Sequence, residues 1–251
     1  MKTVSLVLGS GGARGYAHIG VIEEIERLGY QIVSISGSSM GALIGALYAC
    51  GKIEEYKEWV IELKSIDLTK WLDISWNNRR GIFLGIKLMD KLSEMIGRIN
   101  IEELPIKYTA VATDLNRNKE VWFQHGDLID AVRASISIPF LLTPIQIDGM
   151  MLIDGGVLNP IPVAPTISDH SDLTIAVNLY ADLLKSDIHL PDNVIENQSV
   201  IRGVVLKTQK SIVKEENVPL PILNVLEKTL DSIQRTLISY HLGGYPPRYI
   251  N

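Results

Sequence analysis

"QIVSISGSSMGALIGALYAC", residues 31–50, turns from a β-branched, apolar run into an almost wholly apolar helical pattern. "QIVSIS" (31–36) reads as a buried strand and "MGALIGALYAC" (40–50) as a buried helix, with a tight Gly/Ser turn between them. Upstream, "TVSLVL" (3–8) is a second strand. It runs into the glycine loop "GSGGARGYAHIG" (9–20) and then a helix with Ile19, Ile22, Ile25 and Leu28 at helical spacing and Gly29 as its C-cap. Strand, helix, strand, helix within the first fifty residues indicates an α/β fold with a parallel sheet.

Downstream, 53–64 and 86–97 read as amphipathic helices. "KYTAVATDL" (107–115) and "EVWF" (120–123) are strands joined as a hairpin by "NRNK". "DLIDAVRASIS" (127–137) is a helix stopped by Pro139, "MMLIDGG" (150–156) a strand entering glycines, and "DLTIAVNL" (172–179) the last strand. Residues 194–240 read as mostly helical, broken at "NVPLPI". With no repeat or linker, residues 1–251 are expected to form one domain.

The chain has 251 residues, 46% of them hydrophobic and 21% charged, with a net charge of −5 and no long basic run. That excludes nucleic acid as a partner, since phosphate neutralisation needs clustered Lys and Arg, and it disfavours purely electrostatic docking on anionic lipid. The single cysteine, Cys50, permits no internal disulfide and is expected to be an inert core thiol. Neither a signal peptide nor a membrane-spanning run is visible, so the expected address is the cytoplasm.

A glycine loop between strand and helix usually holds negative charge. The loop has no Lys followed by Ser or Thr, as a P-loop requires. A dinucleotide fold wants an acid closing the second strand, and this strand ends "SISGSSMGA"; the nearest loop register, Ser10 to Gly15, also has serine where the first glycine belongs. What closes the strand is "GSSMG", Gly37 to Gly41, which fits G-x-S-x-G with Ser39 at its centre. In such a nucleophile elbow a sharp turn lifts the serine above the sheet edge, and side chains at the flanking glycines would strike backbone. The Gly11 and Gly12 N–H groups would lie beside Ser39, placed to bind the oxyanion of a tetrahedral intermediate. Arg14 either adds positive charge there or locks the loop through an ion pair with a carboxylate.

The serine needs a base. In Ser–acid–His order His170, His189 or His241 would qualify, but none sits in a strand-end loop with supporting glycines; His18, one turn into the first helix, reads as a capping or packing residue. Asp154 in "LIDGG" (152–156) ends a buried strand, where burial raises a carboxyl pKa and makes a better base. The same letters also describe an ordinary Asp-Gly turn.

"GSGGARGYAHIG", "GSSMG" and "DGG" in this order, with "ATDL" (112–115), "RASISIP" (133–139) and "NPIP" (159–162), resemble patatin-like acyl hydrolases, particularly small bacterial members, over most of residues 4–180. The resemblance implies a three-layer α/β/α fold with a mainly parallel central sheet. It implies a Ser39–Asp154 dyad with no histidine, an oxyanion loop at Gly11, Gly12 and Arg14, and hydrolysis of lipid acyl esters as a phospholipase A or lysophospholipase, without metal or other cofactor. Ser10 departs from the family, which commonly has a third glycine there. Similar chains also tend to continue past "GGYPPRYIN" (243–251), so a shortened C-terminus is expected. The aromatic loop 71–85 is either a flap docking peripherally on a membrane or a loop tucked onto the core. The C-terminal helices either form an acyl-chain groove or cover the sheet. The rival functions are a soluble esterase or thioesterase on small acyl groups, separable by chain-length preference, and a regulatory module, separable by a serine-reactive probe.

Overall fold

Alternation along Thr3–Leu8, strand β1, sends Val4, Leu6 and Leu8 to one face of the sheet and Ser5 and Val7 to the other. A computed structural model describes residues 1–63, 86–139, 141–180, 222–246 and 249–250. In it Val4, Leu6 and Leu8 pack with Ile22 and Ile25 of α1 (Ala17–Arg27) and Leu43, Ile44 and Leu47 of α2 (Met40–Ala49). Leu92 of α4 (Ile86–Ile96) and Leu128 and Val132 of α5 (Leu128–Ser135) extend this layer, as does Tyr56 of α3 (Ile53–Leu63). On the opposite face Val7 meets Ile161, Val163 and Ile238, the last from α6 (Ile222–Gly244). Helices on both faces of one sheet make the α/β/α sandwich that the sequence implies.

The remaining strands are β2 (Gln31–Ser38), β3 (Lys107–Asp114), β4 (Lys119–Phe123), β5 (Ile145–Ile147), β6 (Met150–Asp154), β7 (Leu173–Val177) and β8 (Tyr249–Ile250). Their order is β5-β6-β3-β2-β1-β7-β8, with β4 paired to β3 off this path. The pairs from β3 through β8 are parallel; β3–β4, β3–β6 and β5–β6 are antiparallel. Val111 of β3 pairs with both Ser38 and Trp122, and Ala112 pairs with both Asp154 and Val121. Since β4 fills one edge of β3 at both positions, β2 and β6 share the other. They run toward each other along it and stop at adjacent rungs.

The expected strands and the 120s hairpin are present. The antiparallel entry of β6 and its partner β5 were not foreseen, because "IQI" is too short to show a period. Helix α5 stops at Ser135, ahead of Pro139, because Ile136 already leaves the helix. Cys50 is half-buried at the end of α2 rather than in the core, and burial raises its thiol to about 11, so it stays protonated. Loop 71–85, His189 and the stretch 194–221 lie outside the described residues.

Helix α2 is buried along nearly its whole length, and Ile44 is fully enclosed in the main core. Ile44→Ala is expected to lower the unfolding free energy by about 2–5 kcal/mol through lost transfer energy and a cavity. Urea denaturation measures it, and a loss well below this would show that the helix repacks.

Candidate active site

Ser39 follows the last residue of β2 and precedes the first turn of α2, with φ 57° and ψ −126°. Left-handed backbone is strained for a residue with a Cβ. The turn is possible because its neighbours are glycine: a Cβ on Gly37 would lie 2.5 Å from the Ala42 nitrogen, and one on Gly41 would strike the Leu8 carbonyl. Ser135 of α5 secures the strained residue from behind. Its Oγ accepts the Ser39 N–H at 3.0 Å and donates to the Val111 carbonyl at 2.7 Å.

Asp154 arrives from the opposite direction on β6. The Ser39 hydroxyl donates to its Oδ2 at 2.5 Å, and the Gly156 N–H donates to Oδ1 at 2.7 Å. Both side chains are enclosed, Ser39 being 4% and Asp154 2% exposed. Burial pushes the carboxyl up to about 7 against the lowering effect of its two hydrogen bonds. The backbone N–H of Asp154 donates to Ser137 O at 2.9 Å. Arg133 fixes that loop by donating to Ser137 Oγ at 2.5 Å and to Thr143 O at 2.9 Å. Gly155 must lack a side chain because a Cβ there would collide with the Val111 carbonyl.

The glycine loop lies over the start of α2. Gly15 packs directly on Met40, Gly11 on Leu179, and Ser10 N–H donates to Pro160 O at 2.8 Å. His18 is buried at the base of the loop, with Nε2 2.8 Å from Gly9 O. A carbonyl only accepts, so Nε2 carries the proton; burial lowers this imidazole to about 4 and keeps it neutral. Among the described residues, no acceptor takes the Gly11 or Gly12 N–H. Gly12 has φ +52°. Arg14 is paired with a carboxylate, Asp231 of α6, at 2.6 Å.

Among the described residues no histidine is hydrogen-bonded to Ser39 or Asp154. His170 lines a groove near the start of β7 with Asp172 and Tyr245, at the far end of the sheet from Ser39, and His241 bonds Leu158 O at 2.9 Å. Sequence reasoning missed Ser135, Arg133, Asp231 and Tyr180. The first two sit inside "RASISIP", where the pattern was visible but the contacts were not. Asp231 has no local signal, because its partner is 217 residues away. Among the described residues no group of three or more His, Cys, Asp or Glu could hold a metal, and no helix is long and apolar enough to cross a membrane.

A family model described as patatin-like phospholipase matches residues 6–167. The chain belongs to the patatin-like phospholipase family. It is 50% identical over 176 residues to an "uncharacterized NTE family protein" of Mycobacterium tuberculosis, covering 70% of this chain and 49% of that protein. It is 34% identical over 172 residues to "neuropathy target esterase sws" of Drosophila persimilis, covering 64% of this chain and 12% of the fly protein. The chain thus spans about half the length of the mycobacterial relative. Among solved structures, VipD from Legionella pneumophila aligns with a TM-score of 0.49 and 17% identity over 70% of this chain and 49% of that one.

The raised carboxyl pKa has a consequence for stability. Folded Asp154 binds its proton more tightly than the unfolded chain does. The penalty is therefore absent below the ordinary carboxylate range, grows as pH rises toward about 7, and is constant above. Asp154→Asn is expected to be more stable than the wild type, with the gap widening by about 2–3 kcal/mol between pH 5 and pH 8. Denaturant titrations at the two pH values test this; a gap that does not change with pH would mean the carboxyl is not strained by burial.

Proposed function

We propose that this patatin-like protein is a serine acyl hydrolase that cleaves fatty acyl esters of phospholipids or lysophospholipids through Ser39 and Asp154. The observation that carries this is the 2.5 Å hydrogen bond from the Ser39 hydroxyl to a carboxylate that burial has raised to about 7. A base with a pKa near the working pH combines a usable ionised fraction with real proton affinity. Asp154 takes the hydroxyl proton as Oγ attacks the ester carbonyl. The carbonyl electrons move onto oxygen, and the Gly11 and Gly12 N–H groups receive that negative charge. Arg14 holds the loop that presents them and lends it positive potential. When the tetrahedral intermediate collapses, Asp154 returns its proton to the leaving alkoxide and the acyl group stays on Ser39. Asp154 then deprotonates a water that attacks the acyl-enzyme, and fatty acid and free serine result.

The lipid part of the proposal is supported by the family description and by the relatives named as esterases. The apolar side chains of Met40 and Leu179 beside the glycine loop suit an acyl chain. The reaction as written needs neither a metal nor a histidine.

Treatment with a fluorophosphonate is expected to add one adduct mass on Ser39, absent in Ser39→Ala. Labelling that persists in the variant would remove Ser39 from the role. The acid limb of kcat/KM should have its midpoint at about 7, because protonation silences the base. Asp154→Asn should abolish turnover while keeping the fold, and alanine at each histidine should leave most activity, apart from a stability cost at His18. One histidine variant that folds but is as inactive as Ser39→Ala would overturn the dyad.

A further inference from the structure

We propose that Asp231 on α6 is a positioning residue for catalysis: acting through Arg14, it orients the Gly11–Gly12 peptide and so aims the Gly12 N–H at the developing oxyanion. This rests on the proposed role of the glycine loop, and it draws on a residue outside the stretch 6–167 matched by the family.

The guanidinium of Arg14 is held on two sides. Its Nη2 donates to Asp231 Oδ2 at 2.6 Å, and its central carbon lies 4.4 Å from the centre of the Tyr180 ring. Tyr180 belongs to the same lock, its hydroxyl standing 3.3 Å from Asp231 Oδ1 and touching Gln234 Oε1. Contact with the ring face on one side and pairing with a carboxylate at one edge together restrict where the guanidinium can sit. Held in this way, the Nε of Arg14 faces the Gly11 carbonyl at 3.4 Å, and the Arg14 backbone N–H meets the same oxygen at 3.0 Å.

The planar trans peptide carries this outward. Its C=O and N–H point in opposite directions, so drawing Gly11 O toward Arg14 turns the Gly12 N–H away from it. That N–H has no acceptor among the described residues. The arrangement uses left-handed backbone at Gly12, which glycine adopts freely. The ion pair itself is partly solvated, the two side chains being 39% and 32% exposed, so it contributes little to global stability. Its effect is local, on the direction of one donor. Helix α6 also reaches the base, since the Gln234 amide lies against Gly156, whose N–H holds Asp154.

Asp231→Asn, which keeps shape but removes the charge, tests this in the full-length protein with a p-nitrophenyl acyl ester as substrate. We expect kcat to fall about tenfold, part of the ~10²–10³ that follows outright loss of an oxyanion donor, with KM little changed. A trifluoromethyl ketone, which forms a hemiketal oxyanion on the serine, should lose affinity by the same factor. The matching methyl ketone, which binds without forming that charge, should not. Asp231→Glu should restore part of kcat. If Asp231→Asn does not fold, Arg14→Lys serves instead: it keeps a positive charge for Asp231 but has no Nε for Gly11 O, and it should show the same split. A lower melting temperature with unchanged kcat and ketone affinity would overturn the proposal and leave Asp231 a merely structural residue. Fluorophosphonate separates the two levels. A wild type that takes no adduct on Ser39 removes the active site and this inference together, whereas a labelled wild type with an indifferent Asp231→Asn removes the inference alone.

Discussion

Two strands aimed at each other along one edge of β3 set the geometry of this molecule. β2 ends at the rung of Val111 and β6 ends at the rung of Ala112, so the residues at their tips, Ser39 and Asp154, are brought together by the sheet ladder. Neither depends on a long flexible loop. The meeting point is crowded, and this explains the glycines around it. Gly37 and Gly41 let the chain fold back over the end of β1, and Gly155 lets the other chain turn beside Val111. Ser135 links both sides by accepting from Ser39 and donating to Val111. A side chain added at any of these glycines would push one tip away from the other.

The junction opposes folding in two ways. Ser39 is held in left-handed backbone, which costs of order 1–3 kcal/mol for a residue with a side chain. Raising Asp154 from 3.8 to about 7 corresponds to about 4 kcal/mol against its ionised form. Both are local, and both are offset by apolar burial that begins one residue away. Helix α2 starts at Met40 and is enclosed along almost its entire length, so the segment that forces the elbow is also the centre of the core. That coupling explains the composition of "MGALIGALYA". A surface helix there could shift to relieve the strained serine, whereas one packed on all sides cannot.

Much of this was legible in the letters because the features are local. The strand–turn–helix of 31–50, the glycines of the elbow and the acid closing β6 each occupy a few consecutive residues and obey one period or one steric rule. The antiparallel approach of β6 was not legible, since direction depends on the three-residue strand β5 and on the path between β4 and β6. Arg14 shows the same limit from another side. Sequence left it between the oxyanion and an ion pair because neither alternative has a local signature. Its partner comes from α6, late in the chain, and only the packed structure brings it within 2.6 Å.

The two halves of the site are therefore held by different physics. Ser39 and Asp154 are fixed by backbone ladders and a close-packed core, where displacement means breaking the sheet. The glycine loop has no ladder of its own. It rests on Met40 and Leu179 through apolar contact, on Val177 O and Pro160 O through the backbone N–H groups of Gly9 and Ser10, on His18 through one hydrogen bond at Gly9, and on α6 through a partly exposed ion pair. Contacts of that kind open at far lower cost than a sheet does. In the proposed reaction the tether to α6 is therefore what keeps the loop aligned with the Ser39–Asp154 pair that the sheet holds in register.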